Sequence, residues 1–203
     1  VVIDSGLARV PRFEPDVGVT RLETVRASRA AADQRRGRAG RTEPGVCYRL
    51  WDERQTRSLP AFAEPEMRSA DLAALLLDCA DWGTTDPLSL SWIDPPPVAA
   101  IEAAREGLME LQALDAAGRI TSLGRQLRSL PLPPRLARMA ISAADLGHAG
   151  EAAEIAAVIV ERGLGGNDAD LAHRLDAFRR DRSRRASDMR KLSAGWARLA
   201  SSG

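Results

Sequence analysis

The sequence predicts a multi-domain chain of the α/β plus α class: the tail of an α/β domain, then a winged-helix outline, then an all-α bundle. Three observations predict it. Two short β-branched or apolar runs and an alternating segment, with one helix between, fill the first fifty residues, the order of a parallel-sheet α/β domain. Residues 66–132 read helix, helix, short strand, helix. Residues 133–203 carry helical periodicity alone, punctuated by glycine. With 203 residues and 44% hydrophobic content, the chain is long enough for more than one core.

Val1-Val2-Ile3 has the composition of a buried parallel strand. Asp4-Ser5-Gly6 follows at its carboxyl end, the edge where open α/β sheets gather ligands. Asp4 is therefore either a ligand-facing residue or a turn and cap residue. From Ala8 to Val25 the residues alternate in a β manner, with Pro11, Pro15, Asp16 and Gly18 between the two arms, so residues 8–25 are expected to form a hairpin with an irregular tip. Ser28 is a candidate N-cap for the helix that begins at Arg29. After the turn Thr42-Glu43-Pro44-Gly45, the run Val46 to Trp51 is the next strand. Residues 1–52 are taken as one domain and the polar, proline-containing residues 53–65 as a linker.

In the winged-helix segment, 66–132, the stripe Leu72, Leu75, Leu76 and Cys79 marks the first helix, ended by Gly83. Residues 84–92 are a loop. Pro97 opens a helix over 98–113, with Ile101, Ala104, Leu108 and Leu111 as its apolar row. Residues 115–118 form a turn, 119–121 a short strand and 122–128 a third helix. In the bundle, 133–203, helices are expected from Pro133 to Leu146, Gly150 to Arg162, Asp168 to Arg180 and Arg185 to Ala200, with apolar rows Leu171, Leu175, Phe178 and Leu192, Trp196, Leu199. The loop Gly163 to Asp168 is glycine-rich but lacks the GK[ST] of a phosphate-binding loop. Residues 201–203 read as a frayed end.

The chemistry concentrates in Asp33-Gln34-Arg35-Arg36-Gly37-Arg38-Ala39-Gly40-Arg41. If the helix runs through this stretch, Gln34, Arg38 and Arg41 fall at i, i+4 and i+7 on one face, and Arg35 and Arg36 point elsewhere. Each glycine costs about 1 kcal/mol in a helix interior. Gly37 and Gly40 therefore suggest that something comes close to the backbone. A row of guanidiniums beside such backbone fits a phosphate; a solvated basic helix is the competing reading.

The string QRRGRAGR resembles motif VI of superfamily 2 helicases of the DEAH type, Q-R-x-G-R-x-G-R, at all eight positions. The order around it is similar too: Val2 to Gly6 resembles the VxDSG segment after motif V, Ala8 to Val25 the protruding hairpin, and Gly45 to Leu50 a GxCYRL-like strand. Further on, Asp94 to Pro97, Leu111 to Asp115, Ile120 to Arg125 and Leu130 to Ala137 follow that family's DPPP, LGALD, LT.LGR and LPLdPRLA pattern, with Gln112 and Ser122 as substitutions. The compact middle region and Ala- and Arg-rich helices resemble the bacterial HrpB type. The resemblance implies a partial RecA-like domain, a winged helix and a ratchet-like helical bundle. It implies that Gln34 faces the γ-phosphate and attacking water and that Arg38 and Arg41 are arginine fingers; Asp4, by its place at the sheet edge, is the further candidate cofactor-binding residue. The cofactor implied is ATP with Mg²⁺, the site being completed by a first RecA-like domain. The partners implied are single-stranded RNA or another nucleic acid, and the rest of the parent helicase chain. Arg9, Arg12 and Arg21 on the hairpin are the expected nucleic-acid contacts there. Arg179, Arg180 and Arg182 in the bundle either track a nucleic-acid backbone or form a solvated charge run.

Formal net charge is +1, so no global polybasic character points to nucleic acid. The distribution is uneven: residues 1–50 carry ten Arg against six Asp and Glu. Cys47 and Cys79 are expected to be buried thiols. His148 and His173 are too isolated for a metal site, and none is expected. No segment approaches the ~18 uninterrupted apolar residues of a membrane-spanning helix. With no leader before Val1, the chain reads as the interior of a longer cytoplasmic protein. It contains no Walker lysine, no DExH and no TNxAE, so the chain alone is expected to be catalytically inactive, a part of a nucleotide-hydrolysing enzyme. The alternatives are a non-enzymatic winged-helix nucleic-acid-binding module or a degenerate helicase remnant. Oligomeric state is left open.

Overall fold

In the computed structural model, residues 1–14 and 19–202 are described. The expected hairpin tip, Pro15 to Gly18, and the terminal Gly203 lie outside the described residues. The chain divides into two compact units, residues 1–71 with 92–100, and residues 72–91 with 101–203.

In the first unit, β1 (Val2–Asp4) pairs in parallel with β4 (Cys47–Arg49), Val2 opposite Cys47 and Asp4 opposite Arg49. The pairing extends through Val2 N–H to the Val46 carbonyl and Leu50 N–H to the Asp4 carbonyl, both 2.9 Å. The expected strand over 46–51 is thus three residues long. The strand at the start is parallel as expected, but it is not buried: Ile3 and Tyr48 lie exposed on this two-stranded sheet. Cys47 is only half-buried, and Cys79 is buried.

β2 (Leu7–Glu14) and β3 (Val19–Arg26) form the antiparallel hairpin, in register from Leu7 opposite Arg26 to Phe13 opposite Thr20. Pro11 lies inside β2, not in the tip. Phe13 N–H donates to the Ser69 carbonyl (2.7 Å) and the Ser69 hydroxyl donates to the Pro11 carbonyl (3.2 Å), so the odd-numbered residues turn their backbone away from β3. The missing N–H of Pro11 falls on that outer edge, where a strand tolerates it.

α1 (Arg29–Ala39) follows directly. Its start is as read: Ser28 Oγ accepts from Ala31 N–H at 3.1 Å. Residues 53–65 are not a free linker. They contain α2 (Glu53–Ser58), and the Pro60 and Ala61 carbonyls accept the Arg29 and Ala30 N–H groups. Two of the orphan amides of α1 are thereby satisfied. A single 3₁₀ turn, Glu66–Arg68, closes this stretch.

In the second unit, α3 (Ala73–Asp81) ends at Gly83, whose φ of 96° only glycine adopts without strain. A 3₁₀ turn, Pro87–Ser89, interrupts the loop expected over 84–92. α4 (Val98–Glu110) begins after the proline run and crosses the unit boundary. It stops three residues short of the expected Ala113, because Gln112 takes a left-handed φ of 59°. The strand expected at 119–121 is a single bridge between Leu114 and Ile120. α5 (Ser122–Ser129) follows, N-capped by Thr121. Leu76, Leu77, Ile101, Leu108, Leu114 and Leu127 form the core of this winged-helix segment.

α6 (Pro134–Asp145), α7 (Ala149–Val160), α8 (Leu171–Arg180) and α9 (Arg184–Ser201) complete the bundle. α7 packs against the other three. Its contacting row is Ala152, Ala153, Ala156 and Ala157, and such small residues admit close helix approach. The buried row of α9 is accordingly Ala186, Met189, Ser193, Trp196 and Ala200. Leu192 and Leu199, expected in that row, are exposed. Among the described residues, no helix is long and apolar enough to cross a membrane.

Candidate functional site

The basic stretch forms the second half of α1 and the turn beyond it. Only Ala32 of this helix is buried, so most of its length is open. Gly40 caps it at the C-terminus, with φ −109° and ψ 25°. Arg41 therefore lies past the helix end, not at i+7 of a continuous face. Gln34 and Arg38 keep their i, i+4 relation.

The side chains of the stretch divide sharply in what they bond. Arg35 Nη1 donates to Asp4 Oδ1 at 2.8 Å and to the Leu7 carbonyl at 3.0 Å. Asp33 accepts from Arg49 at 2.8 Å and lies 3.7 Å from Arg36. Arg49 also lies over the Trp51 ring, 5.5 Å from its centroid. Gln34, Arg38 and Arg41 are exposed, and among the described residues their side chains make no hydrogen bond or ion pair. They supply an amide and two guanidiniums, up to five N–H donors on each guanidinium. That set suits a polyphosphate. It contains no carboxylate for Mg²⁺, and among the described residues no cluster of His, Cys, Asp and Glu is arranged for a metal.

Asp4 does not present its carboxylate outward. It is 3% exposed, and Oδ1 also accepts the Gly6 N–H at 2.9 Å. The expectation that Asp4 holds the nucleotide is replaced by a structural role within the first unit.

The glycines separate by their surroundings. A Cβ on Gly37 would meet nothing within 4 Å, and one on Gly40 only the Glu43 carbonyl at 3.9 Å. A Cβ on Gly45 would fall 1.8 Å from the Ala39 carbonyl oxygen. Gly45 is thus the residue that lets the chain cross the end of α1 on its way to β4. In the sequence Gly45 is only one residue of a turn, and a contact with a residue six positions back leaves no signature in spacing.

The hairpin arginines do not share a face. Arg9 lies on the face with Pro11, Phe13 and Leu22, while Arg12 and Arg21 are opposite each other on the other face. Arg12 pairs with Glu23 at 2.9 Å. In the bundle, Arg179 is bound to Glu154 at 2.6 Å, which raises its pKa, and Arg180 pairs with Asp176 at 3.2 Å. Arg182 is exposed and has no partner among the described residues.

Comparison with known proteins decides the family. Residues 104–132 match the helicase associated domain (HA2), winged-helix. Over 167 residues the chain is 42% identical to the ATP-dependent RNA helicase HrpB of Escherichia coli (strain K12), covering 82% of this chain and 20% of that protein. The chain belongs to the DEAH-box helicase family. It is similarly 38% identical over 160 residues to the pre-mRNA-splicing factor ATP-dependent RNA helicase prp22 of Schizosaccharomyces pombe, covering 78% of this chain and 14% of that protein. The crystal structure of the Escherichia coli DEAH/RHA helicase HrpB superposes with a TM-score of 0.82 at 38% identity, over 98% of this chain and 24% of that one. The chain therefore spans about a fifth to a quarter of the length of these HrpB relatives. Within the family pattern, the winged-helix match falls on α4 and α5, inside the segment read as 66–132.

Proposed function

We propose that this chain is the part of an ATP-dependent RNA helicase that supplies the cationic half of the ATP site. The observation that carries the reading is that, among the described residues, Gln34, Arg38 and Arg41 have no partner while Arg35 and Arg49 nearby are tied within the first unit. Arg38 and Arg41 would neutralise charge on the equatorial oxygens of the transferring phosphoryl group. A guanidinium so placed is worth about 10³–10⁵ in rate. Gln34, with both a donor and an acceptor, would orient the attacking water. Mg²⁺ and the opposite wall of the site belong to the remainder of the complete protein, a protein of the cytoplasm.

The nucleic acid is a single strand, RNA in the first instance, held through its phosphates. Among the described residues, Arg9 on one hairpin face and Arg182 in the bundle have no internal partner to give up. Arg12, Arg179 and Arg180 would have to exchange a carboxylate for a phosphate. Arg21 would act from the hairpin face that it shares with Arg12.

The test compares ATP hydrolysis by the 203-residue chain with that of the complete protein, each with and without single-stranded RNA. RNA-stimulated turnover confined to the complete protein is expected. Turnover by the isolated chain, or none by the complete one, would refute the reading. Sequence-specific duplex binding without ATPase would instead favour a winged-helix binding module.

A further inference from the structure

Between the donor face and the hairpin lies one side chain that the ATP reading leaves without a part. Arg35 is the neighbour of Gln34, turned about 100° around the helix axis. It reaches from α1 to the β1–β2 connection, where Nη1 meets both Asp4 Oδ1 (2.8 Å) and the Leu7 carbonyl (3.0 Å). Leu7 is the first residue of β2, and its register partner Arg26 is the last of β3. Arg35 therefore holds the first residue of one hairpin arm, opposite the last residue of the other.

That junction has little freedom. Ala27 N–H donates to the Gly6 carbonyl at 2.9 Å, and Ala27 and Ser28, both buried, are all that separates β3 from α1. Gly6 has φ 71°, and a Cβ there would lie 2.8 Å from the Trp51 ring. The turn at Gly6 is thus packed against Trp51 with no room for a side chain. Asp4 is buried, and its second oxygen, Oδ2, has no hydrogen-bond partner. Its charge is thus compensated through Oδ1, where Arg35 is the only cation bonded to it among the described residues.

We propose that Arg35 is a positioning residue that fixes the rotation of α1 and links the donor face of Gln34 and Arg38 to the base of the β2–β3 hairpin. The proposal rests on the reading of that face as half of an ATP site. A change in the pose of α1 that accompanies nucleotide turnover is passed through Arg35 to Leu7 and Asp4, and so to both hairpin arms. Asp4 keeps the link loaded because releasing Arg35 would leave a buried carboxylate uncompensated.

The test uses the complete helicase and reads strand displacement per ATP hydrolysed, a ratio that a loss of folded enzyme does not change. Arg35→Gln, Asp4→Asn and the double variant are each compared with wild type. The expected result is a fall of about fivefold or more in the ratio for each single variant, with the double variant no worse than either, as for residues acting through one contact. Arg35→Lys is the second variant, for use if the others fail to fold. It keeps a cation for Asp4, but its shorter side chain does not reach the position of Nη1, the atom that bonds both Asp4 and Leu7, and its ratio is expected to fall as well. A ratio within about twofold of wild type in Arg35→Gln and Asp4→Asn, or in Arg35→Lys where those do not fold, would overturn the proposal. Additive losses in the double variant would also overturn it. A wild-type protein without RNA-stimulated ATPase would refute the underlying ATP reading instead, and is distinguishable because it involves no variant.

Discussion

Gly37 and Gly45 make opposite predictions from the same residue type. Gly37 is the ninth residue of the eleven in α1, and a methyl group there meets nothing. Gly37→Ala gains helix propensity and loses unfolded-state entropy, together about 0.4–1 kcal/mol, the lower end applying because the position is in the last turn. Gly45→Ala drives a methyl group into the Ala39 carbonyl, 1.8 Å from oxygen and 2.4 Å from carbon. Neither atom belongs to a flexible side chain, so backbone must move. Overpacking of this kind costs about 1–3 kcal/mol, and the upper end applies here. Amide hydrogen exchange over residues 31–39 of the isolated chain reads both effects locally: slower in Gly37→Ala, faster in Gly45→Ala. In the complete protein Gly37→Ala should nonetheless lower ATP turnover, since a glycine that costs helix stability and touches nothing in this chain is explained by what approaches from outside. A Gly37→Ala protein that is both more stable and fully active would refute that reasoning, and the glycine would be a cost without a use.

Two further predictions concern the second unit. Phe178 is fully buried, and the Arg190 guanidinium stacks on its ring and donates to its carbonyl at 2.7 Å. Phe178→Ala should destabilise the bundle by about 3–5 kcal/mol in denaturant unfolding followed by far-ultraviolet circular dichroism, and a loss under about 1 kcal/mol would mean the bundle repacks. The Asp168 carboxylate, 3.1 Å from His173 Nδ1, raises the His173 pKa above the ordinary 6.5, with Asp170 and Asp176 adding to the effect. A raised folded-state pKa contributes stability that is complete below the unfolded value and is lost as pH rises through the folded one. The imidazole NMR titration of His173 should therefore have its midpoint above 6.5, and Asp168→Asn should lower it; no change in that variant would exclude the pair in solution.

What was legible in the sequence followed from local rules. The Ser28 cap, the alternation within each hairpin arm, the Gly83 helix end and the helix starting after the proline run are each written within four residues of where they act. Other features are not set by spacing. Helical period places Arg41 on the face of Gln34 and Arg38, but the helix ends at Gly40. Residues 53–65 are polar enough to be a linker, yet their carbonyls are needed at the start of α1, about thirty positions earlier in the chain. Leu192 and Leu199 satisfy helical spacing, but the alanine row of α7 brings the helices close and selects Ala186, Ser193 and Ala200 in their place. At the site, periodicity was enough to turn Arg35 away from Gln34 and Arg38, but not to identify Asp4 as its partner. That pairing spans 31 residues and depends on the parallel strand that carries Asp4 to the start of the hairpin.

The central claim is that Arg38 and Arg41 act on the transition state and not simply on bound nucleotide. Steady-state ATPase kinetics of Arg38→Ala and Arg41→Ala in the complete protein test it most directly. The expected result is a loss in kcat of about 10³-fold or more with KM for ATP within a few-fold of wild type. A raised KM with kcat unchanged, or equal loss of nucleotide binding and turnover, would contradict it.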